Sequence, residues 1–195
     1  LFPGDLGSEV AHIIDGLTKI SNPRDGSSRE METLRKIAMF RNPAVFIVKL
    51  ADKSHNMMTL QYQSPAKQWR KATEAIRAYG KLAGILNCYR WRRWIEDMAF
   101  PYAEPDSYHT VKAQIDADPR LNINFIRYYL TELASLMNSE GIDGTVKFTI
   151  NGYWQAWDKL QRMARSHRTS LGDFSAVNDL VSFRMLVARE DEQAC

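Results

Sequence analysis

Lys49, Asp52, Asn56 and Thr59 carry four functional groups that can act together on a charged ligand. At about 100° per residue, a helix through them gathers all four within an arc of about 80°. A carboxylate coordinates a cation, an amide and a hydroxyl bond a sugar or a base, and an ammonium faces phosphate. The first half of the segment, Asn42 to Val48, is largely apolar. A polar stripe on such a helix is buried only where it meets a ligand or a partner. The plain alternative is a helix whose first half is buried and whose second half leaves the core, and the residues leave these two readings even. One carboxylate does not make a metal site, which normally takes three or four ligands.

The elements that would position these groups are mostly helices. Val45 to Leu50 is short and β-branched enough for a buried strand, but Asn42-Pro43 is a helix start and the segment is long enough to favour a helix through Met58. A first helix is predicted over Leu6 to Leu17, with Val10, Ile13, Ile14 and Leu17 at helical spacing. Turn chemistry follows at Ser21 to Gly26, and Ser27 with Glu30 forms a capping box that opens a second helix through Phe40. Ser64-Pro65 opens a long helix to about Leu86, whose apolar face is Trp69, Ala72, Ile76, Tyr79, Ala83 and Leu86.

Tyr89 to Trp94 interleaves basic and aromatic residues, which can hold phosphates and stack bases. A helical reading fits better: Trp91, Trp94, Ile95 and Met98 form a core stripe, with Arg92–Glu96 and Arg93–Asp97 pairs on the solvent side. Pro101 and Pro105 mark a boundary, because Phe100 to Asp106 can hardly continue a helix. Helices are then predicted over Ser107 to Asp116 and Leu121 to Glu140, the second burying Ile126, Leu130, Leu133 and Met137. Gly141 and Gly144 end it. Thr145 to Ile150 alternates as a strand, Tyr153 to Arg165 is helical, and Leu180 to Val187 is a second strand, so the chain closes on the start of an α/β unit.

The 195 residues are 45% hydrophobic and 25% charged, which excludes disorder and a disulfide-stapled miniprotein. The net charge of +3 is too small to argue for nucleic acid by itself, and no specific DNA contact is expected. Cys88 and Cys195 make no metal-type pair, and their scarcity suits a reducing cytoplasm. No apolar run is long enough to span a membrane, and no signal peptide is visible. The chain starts at Leu1 as if inside a domain, so it reads as a piece of a longer polypeptide.

Val10 to Lys19 (VAHIIDGLTK), Leu34-Arg-Lys-Ile37 and Val48 to Leu60 (VKLADKSHNMMTL) resemble the RelA/SpoT family, which hydrolyses and synthesises the stringent-response alarmone (p)ppGpp. Phe174 to Arg184 (FSAVNDLVSFR) is similar to the start of that family's synthetase core. The resemblance implies a mainly α chain: residues 1–62 as the last part of an HD-type hydrolase, 63–103 as a connecting helical bundle, and 104–195 as the opening of an α/β synthetase-like domain. It implies a 3′-pyrophosphohydrolase using Mn2+, with Asp52 as a metal ligand and Asn56, Thr59 and Lys49 at the nucleotide. The family's other metal ligands, a His-Asp pair and a Glu-Asp pair, are expected before residue 1. His12, His109 and His167 do not sit in matching contexts, and His55 is expected to orient the helix.

In the synthetase half the resemblance makes Lys159 a phosphate-facing lysine and Asp179 a Mg2+-binding aspartate. The family's arginine, lysine and serine are replaced by Thr149, Asn151 and Gln155, so two phosphate-pairing cations are gone. That half is therefore expected to be degenerate, and the 195 residues alone are not expected to assemble the metal site. Guanine nucleotides (ppGpp and GTP) are the expected partners, with ribosome or regulatory-protein contacts made by other regions. The rival reading is a non-catalytic nucleotide-sensing or protein-interaction module, and a weaker third is RNA binding through Arg90 to Trp94.

Overall fold

The computed structural model describes residues 4–17, 32, 35 and 43–187. The chain divides into two compact units, Leu1–Glu104 and Pro105–Cys195. The turn at 21–26, the capping box at Ser27 and most of the predicted second helix lie outside the described residues. Of that helix Glu32 and Arg35 are described, helical and paired at 3.1 Å.

Every regular element among the described residues of the first unit is a helix. Helix α1 is Gly4–Leu17 and α2 is Pro43–Met58, the latter starting at the proline whose missing N–H costs nothing there. A 3-10 turn, Leu60–Tyr62, leads to α3 (Pro65–Glu74). The chain then widens into a π-helical segment, Ala75–Gly80, before α4 (Lys81–Ile85) and α5 (Tyr89–Ala103). Val45, Leu50, Leu60, Ala72, Tyr79, Ile95 and Phe100 are fully buried and form the core.

Four expectations change here, one being that Trp94, predicted in the core stripe of α5, is exposed while Ile95 is buried. The helix opened by Ser64-Pro65 is interrupted by the π segment, and although Ala72, Ile76, Tyr79 and Ala83 are buried as predicted, Trp69 is exposed. A Cβ on Gly80, at the end of that segment, would lie 2.6 Å from Glu96 Oε1, so the two helices meet where only glycine fits. The Arg92–Glu96 pair forms at 2.9 Å, but Glu96 is 1% exposed, so it faces α3–α4 rather than solvent. Pro101 does not end α5, which continues to Ala103. A proline near a helix end forfeits one backbone bond, and helical bonding resumes with Glu104 N–H donating to Phe100 O at 3.0 Å.

The second unit opens with α6 (Pro105–Asp116) and a 3-10 turn, Pro119–Leu121. Helix α7 (Ile123–Ser139) is capped by Asn122, whose side chain accepts from Asn124 N–H at 2.8 Å. Ile126 and Met137 are buried on α7, while Leu130 and Leu133 are only half-buried. Gly141, at φ +72°, ends the helix in the left-handed conformation glycine adopts without strain. Strand β1 is Gly144–Ile150, α8 is Tyr153–Arg165 and β2 is Val181–Val187. The strands pair antiparallel, Gly144 opposite Val187 and Ile150 opposite Val181.

That pairing puts Phe148 beside Phe183 and Val146 beside Met185 on one face of the sheet, with Tyr129 of α7 5.9 Å from the Phe183 ring. Arg120 ties the 3-10 turn to the segment before β2. Its guanidinium forks onto both Asp118 carboxylate oxygens, at 2.9 and 2.6 Å, and donates to Val177 O at 2.8 Å and to Phe174 O at 3.3 Å.

Candidate functional site

Lys49, Asp52 and Asn56 lie on α2 and their side chains bond one another, while Thr59 falls just beyond the helix end. Lys49 Nζ lies 3.3 Å from Asp52 Oδ2, and Asn56 Nδ2 donates to Asp52 Oδ1 at 3.3 Å. Thr59 Oγ1 donates back to the His55 carbonyl at 3.2 Å, and the His55 side chain is exposed. Burial divides the stripe. The Lys49 side chain is 7% exposed and that of Asp52 is 52% exposed. The reason is angular: Val45, Lys49, Leu50, Lys53 and Met57 are the buried residues of α2, so Lys49 sits where the polar stripe meets the buried face. Its ammonium reaches out along that border to the carboxylate.

Asp52 therefore presents a half-open carboxylate steadied on both oxygens by its own helix. Each oxygen keeps a further lone pair beyond the bond it accepts. Among the described residues no three His, Cys, Asp or Glu side chains cluster as a metal site. One carboxylate with a lysine against it does not by itself fit a divalent ion.

The inner face of α2 carries polar contacts that sequence reasoning missed. Lys53 Nζ lies 2.6 Å from Glu74 Oε1 and 4.6 Å from the centre of the Tyr79 ring, with both charged side chains largely buried. Ser54 Oγ accepts from Trp91 Nε1 at 2.5 Å and donates to Leu50 O at 2.8 Å. The available signal was positional: Lys53 falls eight residues after Val45 and four before Met57, on the side of α2 that must be buried.

The second unit gathers the residues singled out there. Lys159 Nζ on α8 and Asp179 Oδ1, just before β2, lie 2.5 Å apart. Asn151 bonds the same junction, its side chain to Asp179 O at 2.8 Å and its N–H to Leu180 O at 2.9 Å. Gln155 accepts from Gly152 N–H at 3.4 Å, closing the cap of α8, and Thr149 pairs across the sheet with Ser182. Thr149, Asn151 and Gln155 thus make pairings and bonds within the unit's own sheet and helix cap.

Close by, Tyr153 O–H donates to Asp116 Oδ1 at 2.8 Å and Asp116 also pairs with Lys112. The bond from Lys112, and then that from Tyr153, holds the Asp116 carboxyl below its ordinary pKa, while burial and Asp116 push the Tyr153 phenol up.

Residues 4–88 match a family model described as an HD domain. The chain is 32% identical over 184 residues to a probable GTP pyrophosphokinase of Mycobacterium leprae, covering 93% of this chain and 22% of that protein. It is 30% identical to a GTP pyrophosphokinase of Myxococcus xanthus, with 93% and 24% covered. It is 31% identical over 173 residues to a protein of Mycobacterium tuberculosis named bifunctional (p)ppGpp synthase/hydrolase RelA, with 88% and 22% covered. The chain thus spans less than a quarter of the length of these relatives. Together with the α2 motif, the likeness identifies the chain as a member of the RelA/SpoT enzyme family.

Proposed function

We propose that this chain serves (p)ppGpp metabolism and that its first unit forms part of a metal-dependent 3′-pyrophosphohydrolase. Asp52 contributes one ligand to a divalent cation, Mn2+ on the family resemblance, and the remaining ligands come from outside the described residues. Asn56 and Thr59 border the nucleotide, and Lys49 places its charge behind Asp52. Residues 1–62 are the hydrolase portion, 63–103 the connecting bundle and 104–195 the opening of a synthetase-like domain. The observation that carries this reading is the Lys49–Asp52–Asn56 chain of contacts, which runs from the border of the buried face of α2 to its open side. The test is Asp52→Asn in the natural full-length protein: ppGpp hydrolysis falls at least about 100-fold while the fold is kept. Hydrolysis at the wild-type rate overturns the reading.

A second reading is favoured for the second unit by the Lys159–Asp179 pair and the internal bonding of Asn151 and Gln155. There the nucleotide site has become structural, so Mg2+-dependent transfer to GTP is lost and the unit senses nucleotide or contacts a protein. Calorimetry with ppGpp and Mn2+ separates the two: heat of binding without turnover supports the sensor. No helix among the described residues is long and apolar enough to cross a membrane, and a cytoplasmic location accords with guanine nucleotides as ligands.

A further inference from the structure

We infer that the buried contacts of Lys53 and Ser54 make them positioning residues, which set the roll of α2 and thereby the direction in which Asp52 and Asn56 point. This rests on the reading of the α2 stripe as a nucleotide site. Lys and Glu are rarely buried unless paired, and a buried ion pair contributes little stability beyond an apolar pair of the same volume. The Lys53–Glu74 pair, capped by the Tyr79 ring, is therefore better explained by the geometry it imposes. Apolar contacts are non-directional and tolerate rolling and sliding; an ammonium held at 2.6 Å from one carboxylate oxygen does not.

Lys53 and Ser54 follow Asp52 directly, so they project about 100° and 200° away from it around the axis. They are held by different elements: Lys53 by Glu74 at the end of α3, and Ser54 by Trp91 of α5. Two anchors at different angles fix both rotation and height. The leverage is large, because a roll of about 20° moves a group about 6 Å from the axis by about 2 Å. A misplacement of about 1 Å can cost about 100-fold in rate.

The test uses the paired apolar variant Lys53→Met/Glu74→Leu, read in two ways. In the 195-residue chain the side-chain amide resonances of Asn56 are expected to broaden or double, with Lys53→Arg keeping the wild-type spectrum. In the natural full-length protein kcat for ppGpp is expected to fall at least about tenfold, with KM changed no more than about threefold. A single, unshifted Asn56 resonance in the apolar variant overturns the inference whatever the activity. Absence of ppGpp hydrolysis by the wild type sinks the hydrolase reading alone, and the Asn56 spectrum still decides the roll. Should the double variant fail to fold, Ser54→Ala removes only the acceptor of Trp91. It is expected to perturb Asn56 in the same sense, and an unperturbed spectrum there also overturns the inference.

Discussion

Lys159 and Asp179 face each other at 2.5 Å between α8 and the start of β2, and Asn151 holds the backbone carbonyl of the same aspartate at 2.8 Å. Both charged side chains remain partly exposed, so solvent screens much of their attraction. Asp179→Asn is therefore expected to cost less than about 1 kcal/mol in urea unfolding. Its larger effect is on ligands, because it frees the Lys159 ammonium. Titration with GTP is expected to show tighter binding to Asp179→Asn than to the wild type and none to Lys159→Met. Equal affinity in all three would show that Lys159 meets no phosphate.

Arg120 is a more consequential cation. Its side chain bonds two backbone carbonyls and both oxygens of Asp118. Arg120→Met removes those bonds, although Asp118 Oδ1 keeps the N–H of residue 120 and Phe174 O keeps the N–H of Val177. The expected loss is about 2–3 kcal/mol by denaturant unfolding. The Asp118 carboxyl is held below its ordinary pKa, chiefly by the side-chain bond from Arg120. A depressed folded-state pKa stabilises above the unfolded value of about 3.9 and loses that contribution as pH falls further. The wild type is thus expected to lose stability below about pH 4 more steeply than Arg120→Met, whose Asp118 titrates nearer its ordinary value. Parallel acid limbs would refute the assignment.

Much of this was legible in the residues because it is local. Proline at position 43 fixes the start of α2, 3.6-residue periodicity groups Lys49 with Asp52 and Asn56, and alternation marks Thr145 to Ile150 as a strand. What was not legible depends on distant partners. The burial of Lys49 follows from which side of α2 meets the core, and a long aliphatic stem permits it. The π segment at 75–80 is set against Glu96, sixteen residues beyond Gly80, and no local propensity announces it. The reading left the direction of β1 and β2 open, since strand, helix, strand permits either; the ladder of paired residues decides it. Pro101 misled because its rule holds for helix interiors and this helix was about to end.

The Lys53–Glu74 pair predicts an asymmetry between single and double substitutions. Lys53→Met alone leaves Glu74 buried without its cation, and Glu74→Leu alone leaves the ammonium with only the Tyr79 ring. Each single variant is expected to lose about 3–5 kcal/mol in urea unfolding, whereas the double variant returns to within about 1–2 kcal/mol of the wild type. The coupling energy from that cycle is the measurement. Additive single losses would mean that the two side chains act independently in solution.

Gly80→Ala sets two opposing effects against each other. In a helical position alanine is ordinarily favoured over glycine by about 0.8–1.0 kcal/mol. Here the added carbon would meet Glu96 Oε1 at 2.6 Å and Glu96 Cγ at 2.8 Å. Glu96 is buried and paired with Arg92, so it can retreat only by weakening that bond or by pushing α5 away from the π segment. Overpacking of this kind costs about 1–3 kcal/mol or more, which outweighs the propensity gain. The expected result is a lowered melting temperature for Gly80→Ala, recovered in part by Gly80→Ala/Glu96→Ala, where the carboxylate that obstructs the new methyl is gone. A single variant as stable as the wild type would mean that α5 can yield at Glu96 without cost, and that Gly80 is not needed for the close approach.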